Sequence, residues 1–276
     1  MNIMNIPPIL YGTAWKEERT QPLVALALAA GFRGIDTANQ RRHYFEAAVG
    51  DAIQSWIDAG AGRREGLFLQ SKYTFARGQD HRLPYDPRAP IGEQVVQSFE
   101  STLRNLRTSI LDSYLLHGPT THTGWTEADQ AAWSSMEALY DAGRVRALGV
   151  SNMAVDQLQA LCAIARVPPT FVQNRCYANQ GWDARVRAFC AQHGLTYQGF
   201  SLLTANREVL RHGELQSIAR RHERTPAQIV LRFAIDQGML PLTGTTSPDH
   251  MRDDLEILDF SLLSAEQTLI ASLGLP

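Results

Sequence analysis

Lysine is nearly absent from this 276-residue chain: of 26 basic residues, 24 are arginine, and Lys16 and Lys72 are the only lysines. An ammonium can lose its proton when buried and a guanidinium cannot, so each lysine invites a reason. Cysteine is scarce as well. Cys162, Cys176 and Cys190 are odd in number and form no C-x-x-C, which excludes a disulfide scaffold and points to reduced thiols in a cytoplasmic protein. The longest apolar run, Leu23–Phe32, is ten residues, where a membrane-spanning helix needs about 20. The opening MNIMNIPPIL lacks the basic region and long apolar core of a signal peptide. A net charge of −2 gives no electrostatic reason to expect a nucleic acid or an anionic membrane as partner. Nucleotide and metal motifs are missing too. No G-x-G-x-x-G follows a strand-like run, the Gly60-Ala61-Gly62-Arg63-Arg64-Glu65-Gly66 stretch has the wrong spacing, and no Walker A, HExxH or EF-hand loop occurs. The expectation is no metal and no Rossmann fold.

What is present is ordinary globular composition, 44% hydrophobic and 20% charged. At this mass, area scaling leaves a folded surface of roughly 12,000 Å² and buries roughly 73% of the unfolded one. No Pro/Gly-rich linker or charge block divides residues 1–276, so they read as one domain. Short runs rich in β-branched or aromatic residues read as strands at Arg33–Asp36, Leu67–Lys72, Ser113–His117, Ala147–Ser151, Phe171–Gln173, Thr196–Ser201 and Met239–Thr243. Apolar residues three and four apart predict helices at Gln21–Ala30, Phe45–Ala59, Ile91–Leu106, Glu127–Ala142, Val155–Ile164 and Ala184–His193. Gly31, Gly60, Gly143 and Gly194 fall where helices should end with positive φ. Thr225-Pro226 reads as a cap and first turn for Ala227–Gln237. Strand–helix alternation of this length implies a parallel sheet covered by helices. Adding an eighth strand around Ile9–Gly12, or a short hairpin there, gives an α/β (β/α)8 TIM barrel, with an open doubly wound sheet as the alternative.

Polar residues gather where the apolar runs end. In order they are Asp36, Lys72, His117, Ser151-Asn152, Gln173-Asn174 and Ser201. In a βα barrel that edge is the face that carries active sites. A carboxylate, an ammonium, an imidazole and several amides brought together there would make a polar reaction centre.

The segments GFRGIDTA, SKY, YLLHGP, LGVSN and VQN, in this order and spacing, resemble the aldo-keto reductases, and the resemblance runs from Tyr11-Gly12-Thr13 to the last helix. It implies a barrel that binds a nicotinamide cofactor without a Rossmann motif, with Gly12 and Thr13 beside the cofactor. It also implies a catalytic Asp, Tyr, Lys and His. Three of these map to Asp36, Lys72 and His117. The stretch DTANQRRHYFEAAVG is two residues longer than the family pattern, so counting from Asp36 reaches Arg41 and counting back from Gly50 reaches His43. Tyr44 is the only phenol nearby and is assigned the acid role.

By the same resemblance, Ser151, Asn152 and Gln173 would hold the nicotinamide carboxamide. Phe200 would stack on the ring in place of the family's tyrosine, and Ser201 and Leu203 would reach the pyrophosphate. In the stretch 241–250, Gly244 replaces the family's phosphate-binding lysine, Thr245 its serine and His250 its arginine, while Asp254 falls at the adenine. The implied cofactor is NADP(H), with NAD(H) open because two cations are lost. Trp15, Tyr73, Tyr85 and Trp125 are expected at the pocket for a small-molecule carbonyl substrate, near a long loop over residues 75–90. The chain's end soon after the last helix suggests an open pocket. The implied reaction is aldehyde or ketone reduction, with Lys72 acidifying Tyr44, Asp36 holding Lys72, and His117 orienting the carbonyl. The alternative is a nicotinamide-binding barrel acting as a regulatory or interaction subunit. Oligomeric state is not legible.

Overall fold

The computed structural model describes residues 5–275. Eight parallel strands close a barrel in sequence order: β1 (Leu10–Gly12), β2 (Gly34–Asp36), β3 (Phe68–Tyr73), β4 (Ser113–Leu116), β5 (Leu148–Ser151), β6 (Phe171–Arg175), β7 (Thr196–Phe200) and β8 (Leu240–Thr243). The closing pairs, Leu10 with Leu242 and Tyr11 with Thr243, exclude the open sheet. Leu10–Gly12 is thus a full stave of the barrel. No hairpin forms there among the described residues, since residues 5–9 before it carry no strand and both of its pairings are parallel.

Helices α1 (Thr20–Ala30), α2 (Glu46–Asp58), α3 (Ile91–Leu106), α4 (Glu127–Asp141), α5 (Val155–Ile164) and α6 (Ala184–His193) follow β1 to β6 in turn. Three of these, α3, α5 and α6, have the bounds their apolar periodicity predicts. All four end glycines have positive φ, 120° at Gly31 and 68–69° at Gly60, Gly143 and Gly194. After β7 come α7 (Arg207–Arg211), α8 (Gly213–His222) and α9 (Pro226–Asp236); after β8 come α10 (Pro248–Leu255) and α11 (Ser264–Ser272). The cap of α9 is reciprocal: Gln228 N donates to Thr225 Oγ1 at 3.2 Å and Thr225 N to Gln228 Oε1 at 2.9 Å.

The core has two parts. Outward-facing strand residues pack under the helices, while inward-facing Leu10, Phe68, Leu115, Ala147, Phe171, Leu240 and Leu242 plug the barrel's lower end. Phe68 and Phe171 meet edge-on there, with ring centroids 5.6 Å apart. Gly149 in LGVSN is needed for this plug, because a Cβ would overlap the Leu115 side chain and the Phe171 carbonyl. The two-residue period of a strand then orders everything above the plug. On β3 the inward residues after Phe68 are Gln70 and Lys72; on β6, after Phe171, they are Gln173 and Arg175. The interior therefore passes from apolar floor to polar upper layer along each strand.

Candidate active site

The upper layer is a continuous hydrogen-bonded network. Lys72 Nζ donates to Asp36 Oδ1 and Oδ2, each at 2.7 Å, and to the Thr37 carbonyl at 2.8 Å. Both side chains are buried, with 0% and 4% exposure. Asp36 Oδ1 also accepts from Gln70 Nε2 at 2.7 Å and Gln173 Nε2 at 3.0 Å. Gln198 Oε1 ties both amides together from β7, at 2.8 and 2.9 Å. A buried ion pair survives only when its remaining lone pairs are satisfied, and the glutamines do that here. Burial pulls the Lys72 ammonium below the ordinary lysine value, and Asp36 holds it partway back.

Tyr44 and His117 stand over this pair. Lys72 Nζ lies 5.3 Å from the Tyr44 ring centroid, and the Tyr44 and His117 rings meet edge-on at 5.9 Å. His117 Nδ1 is 2.7 Å from Thr74 Oγ1. Burial first, and the Lys72 charge second, push the imidazole down to about 3. His117 is therefore neutral, with Nε2 left over for the cavity. In the resting site the Tyr44 phenol stays above its ordinary value even with Lys72 Nζ 5.3 Å from the ring centroid. Burial and the Asp36 carboxylate raise the phenol above its ordinary value, and the cation that opposes them is Arg175.

The loop before α2 decides which side chain faces this pair. Its amides fold back, His43 N and Tyr44 N both donating to the Gln40 carbonyl at 3.1 and 2.9 Å. Arg41 turns away, stacking over Phe45 at 3.9 Å and reaching Glu18 Oε1 at 3.2 Å. His43 lies against the Trp15 ring at 3.9 Å. Tyr44 is left facing Lys72 and His117.

A cavity of about 730 Å³ opens from this centre across the barrel mouth to α10. At its inner end it is lined by Asp36, Tyr44, His117, Ser151, Asn152 and Gln173. Gly12, Phe200, Ser201 and Leu203 line the middle, and Gly244, Thr245, His250 and Asp254 the outer end. Asn152 and Ser201 both hold φ of 57°, a left-handed conformation rare for such residues and concentrated at functional sites. Thr13 does not reach the cavity. It is fully buried, and its hydroxyl donates to the Asp36 carbonyl at 3.0 Å, so its place is structural.

Of the four aromatics expected around the substrate, Trp15 lines the cavity and is 69% exposed. Tyr73 and Tyr85 do not. Tyr73 faces outward from β3 because Lys72, one residue earlier, faces inward; it packs on Phe75 and Tyr85 and donates to Gln94 Oε1 at 3.3 Å. Tyr85 is buried with its hydroxyl on the Thr74 carbonyl at 2.7 Å. Trp125 is half-buried against the core, with Nε1 on Gln130 Oε1 at 3.1 Å. A second cavity of about 410 Å³ shares His43, His117 and Asn152 with the first, and its lining includes Thr74, Arg77 and His122.

Three basic residues that sequence reasoning did not place at the site line the main cavity: His43, Arg175 and Lys16. Strand period could have found Arg175, two residues beyond Gln173. The scarcity of lysine singled out Lys16 without saying where it goes. Its Nζ donates to the Gly244 carbonyl at 2.7 Å and lies 4.9 Å from the Tyr11 ring centroid. Burial and the nearby Arg19 lower it to about 8. It enters no ion pair among the described residues. A cation thus reaches the backbone of Gly244, where the family resemblance placed a lysine. Arg252, by contrast, is taken by Asp249.

The donor set suits a dinucleotide. Amide and hydroxyl groups of Ser151, Asn152 and Gln173 sit beside an aromatic face at one end. The unpaired Lys16, the Gly244-Thr245-Thr246 backbone and the start of α10 sit at the other, where phosphate is favoured.

The sequence model of the Aldo/keto reductase family matches residues 9–273. Deoxymugineic acid synthase 1 of Zea mays is 30% identical over 292 residues, covering 97% of this chain and 88% of its own. Prostaglandin-E(2) 9-reductase of Oryctolagus cuniculus is 29% identical over 304 residues, with 98% and 88% covered. Among solved structures, the aldose reductase from Schistosoma japonicum superposes with a TM-score of 0.84 at 26% identity, covering 98% of this chain and 89% of that one. No helix of the described residues is long and apolar enough to cross a membrane.

Proposed function

Since the chain belongs to the aldo/keto reductase family and is an NAD(P)H-dependent oxidoreductase, we propose that it reduces an aldehyde or ketone with Tyr44 as the proton donor and NADPH as the preferred cofactor. The observation that carries the reading is the position of Tyr44 between the Lys72 ammonium, 5.3 Å from its ring centroid, and the His117 ring, edge-on at 5.9 Å, at the inner end of the cavity.

A bound nicotinamide cofactor supplies the hydride for the carbonyl carbon. Ser151, Asn152 and Gln173 would fix its carboxamide, and Phe200 would cover one face of its ring. His117, neutral and with Nδ1 occupied by Thr74, would offer Nε2 to the carbonyl oxygen and so orient it. Tyr44 keeps its proton in the resting site, which is the state a proton donor for reduction needs. As the oxygen takes on alkoxide character it becomes more basic than a phenolate, and the Tyr44 proton passes to it. The phenolate left behind is favoured by Lys72 beneath the ring and by Arg175. Asp36 keeps Lys72 charged and in place. Lys16 supports NADPH over NADH, because it puts an unpaired cation at the phosphate end despite Gly244 and His250.

Tryptophan-fluorescence titration with NADPH and NADH, followed by assay of Tyr44→Phe, tests the reading. Tight NADPH binding with lost reduction in the variant is expected. A variant as active as wild type removes Tyr44 from its role, and a protein that binds cofactor but reduces no carbonyl returns the regulatory alternative.

A further inference from the structure

Arg175 is the one arginine lining the cavity among the described residues, and the proposed chemistry uses its charge but none of its hydrogen-bond donors. It is the last residue of β6, and its inward side follows from Phe171 and Gln173 on the same face. Unlike the four residues before it, it is exposed. Its guanidinium enters no ion pair among the described residues. Its contacts are the Tyr177 hydroxyl at 3.3 Å and the rings of Phe200 and Tyr177, 5.4 and 6.0 Å from their centroids. An arginine resting on aromatic faces is held in one orientation, and apart from the one Nη1 contact with Tyr177 its donors stay free for a ligand.

The acids that share the cavity do not compete for it. Asp36 is closed off by Lys72 and two glutamine amides. Asp253 and Asp254 belong to α10 at the other end, where Asp254 accepts the Thr243 hydroxyl at 2.6 Å. The adjoining smaller cavity adds Arg77 and has no carboxylate in its lining. In a chain of net charge −2, the catalytic end of the mouth is locally positive. Arg175 is also near enough for its charge to act on the Tyr44 phenol.

We propose that Arg175 is a specificity residue that selects carbonyl substrates bearing a carboxylate, binding it through its planar fork while the carbonyl meets Tyr44 and His117. The proposal rests on the reductase reading above and names its substrate class. A carboxylate matches the guanidinium bidentately, which a neutral group of the same size cannot do.

The test compares 4-carboxybenzaldehyde with its methyl ester, which share the reacting aldehyde and differ in charge. The kcat/KM ratio of acid to ester is measured with NADPH for wild type, Arg175→Met and Arg175→Glu, together with the NADPH Kd by tryptophan fluorescence. Arg175 is exposed, so the variants should fold; methionine retains the apolar cover on Phe200. The ratio should fall about tenfold or more in Arg175→Met, mainly through KM for the acid, and further in Arg175→Glu. A ratio that does not move overturns the proposal, as does a tenfold weakening of NADPH binding, which would assign Arg175 to the cofactor. Wild-type protein that binds NADPH and reduces neither aldehyde overturns the reductase reading itself. That result is distinct from a working reductase whose ratio ignores Arg175.

Discussion

Removing one oxygen from Tyr44 separates chemistry from structure more cleanly than any other change at this site. The phenol hydroxyl enters no hydrogen bond among the described residues, while the ring has two neighbours that do not need it: Lys72 at 5.3 Å and His117 at 5.9 Å, both measured to the ring. Tyr44→Phe keeps those contacts and leaves no buried partner unpaired, so stability should stay within about 0.5 kcal/mol of wild type. Proton transfer by a positioned general acid contributes about 10²- to 10⁴-fold, equivalent to about 3–5 kcal/mol of barrier. Steady-state kinetics should therefore show kcat/KM down by about that factor. The thermal midpoint and the NADPH Kd should be unchanged. Loss of cofactor binding along with activity would show that the phenol builds the cofactor site. Activity within about threefold of wild type would refute the placement of the acid, since that is far below any general-acid contribution.

The other predictions follow from the two lysines and the loop. Lys72→Met leaves the Asp36 carboxylate buried with only amide donors, a loss of about 3–5 kcal/mol, and thermal melting should fall by about 6–15 °C. Asp36→Asn in the same chain should recover much of that loss, and a single variant as stable as wild type would mean the pair is not coupled as drawn. Lys16→Met should weaken NADPH about tenfold with little effect on kcat. Burial holds Lys16 at about 8 in the free protein, so a bound phosphate must raise it; wild-type affinity is therefore greatest below pH 8 and falls as pH rises through that value. Calorimetry from pH 7 to 9.5 should show this fall, absent in Lys16→Met. Arg41→Ala should leave kcat/KM within about twofold, because Arg41 faces Phe45 and Glu18 on the surface.

Much of the barrel was legible because its signals are local. Strand runs, glycine stops at 31, 60, 143 and 194, and the Thr225-Pro226 cap each depend on a few neighbouring residues, and they agree with one another. The missed helices α7, α8, α10 and α11 lie in the last third, where the chain packs two or more helices after a strand and alternation no longer counts them. Side-chain direction was the weaker point at the site. Tyr73 and Tyr85 looked like pocket aromatics by type, yet Tyr73 had to face outward once Lys72 faced inward. Thr13 is likewise a matter of direction, its hydroxyl donating to the Asp36 carbonyl at the end of β2 and its side chain absent from the cavity lining. Arg175 was hidden because it lies one step past a recognisable segment, in a stretch with no pattern of its own.

The two lysines show why residue scarcity carried more information than any single motif. Lys72 serves three acceptors that do not share a plane: two carboxylate oxygens and the Thr37 carbonyl. A tetrahedral ammonium can point one N–H at each, whereas a flat guanidinium needs a planar partner and more room than a filled barrel leaves. Lys16 threads past Tyr11 to a glycine carbonyl with no carboxylate to meet it. Burial and Arg19 have already lowered its affinity for the proton, so a phosphate bound there, as proposed above, would hold the charge in place. An arginine in either place would remain fully charged whatever surrounded it. In a chain that otherwise uses arginine throughout, the two lysines stand where a compact, titratable cation fits and a guanidinium would not, Lys16 in the cavity lining and Lys72 under Tyr44.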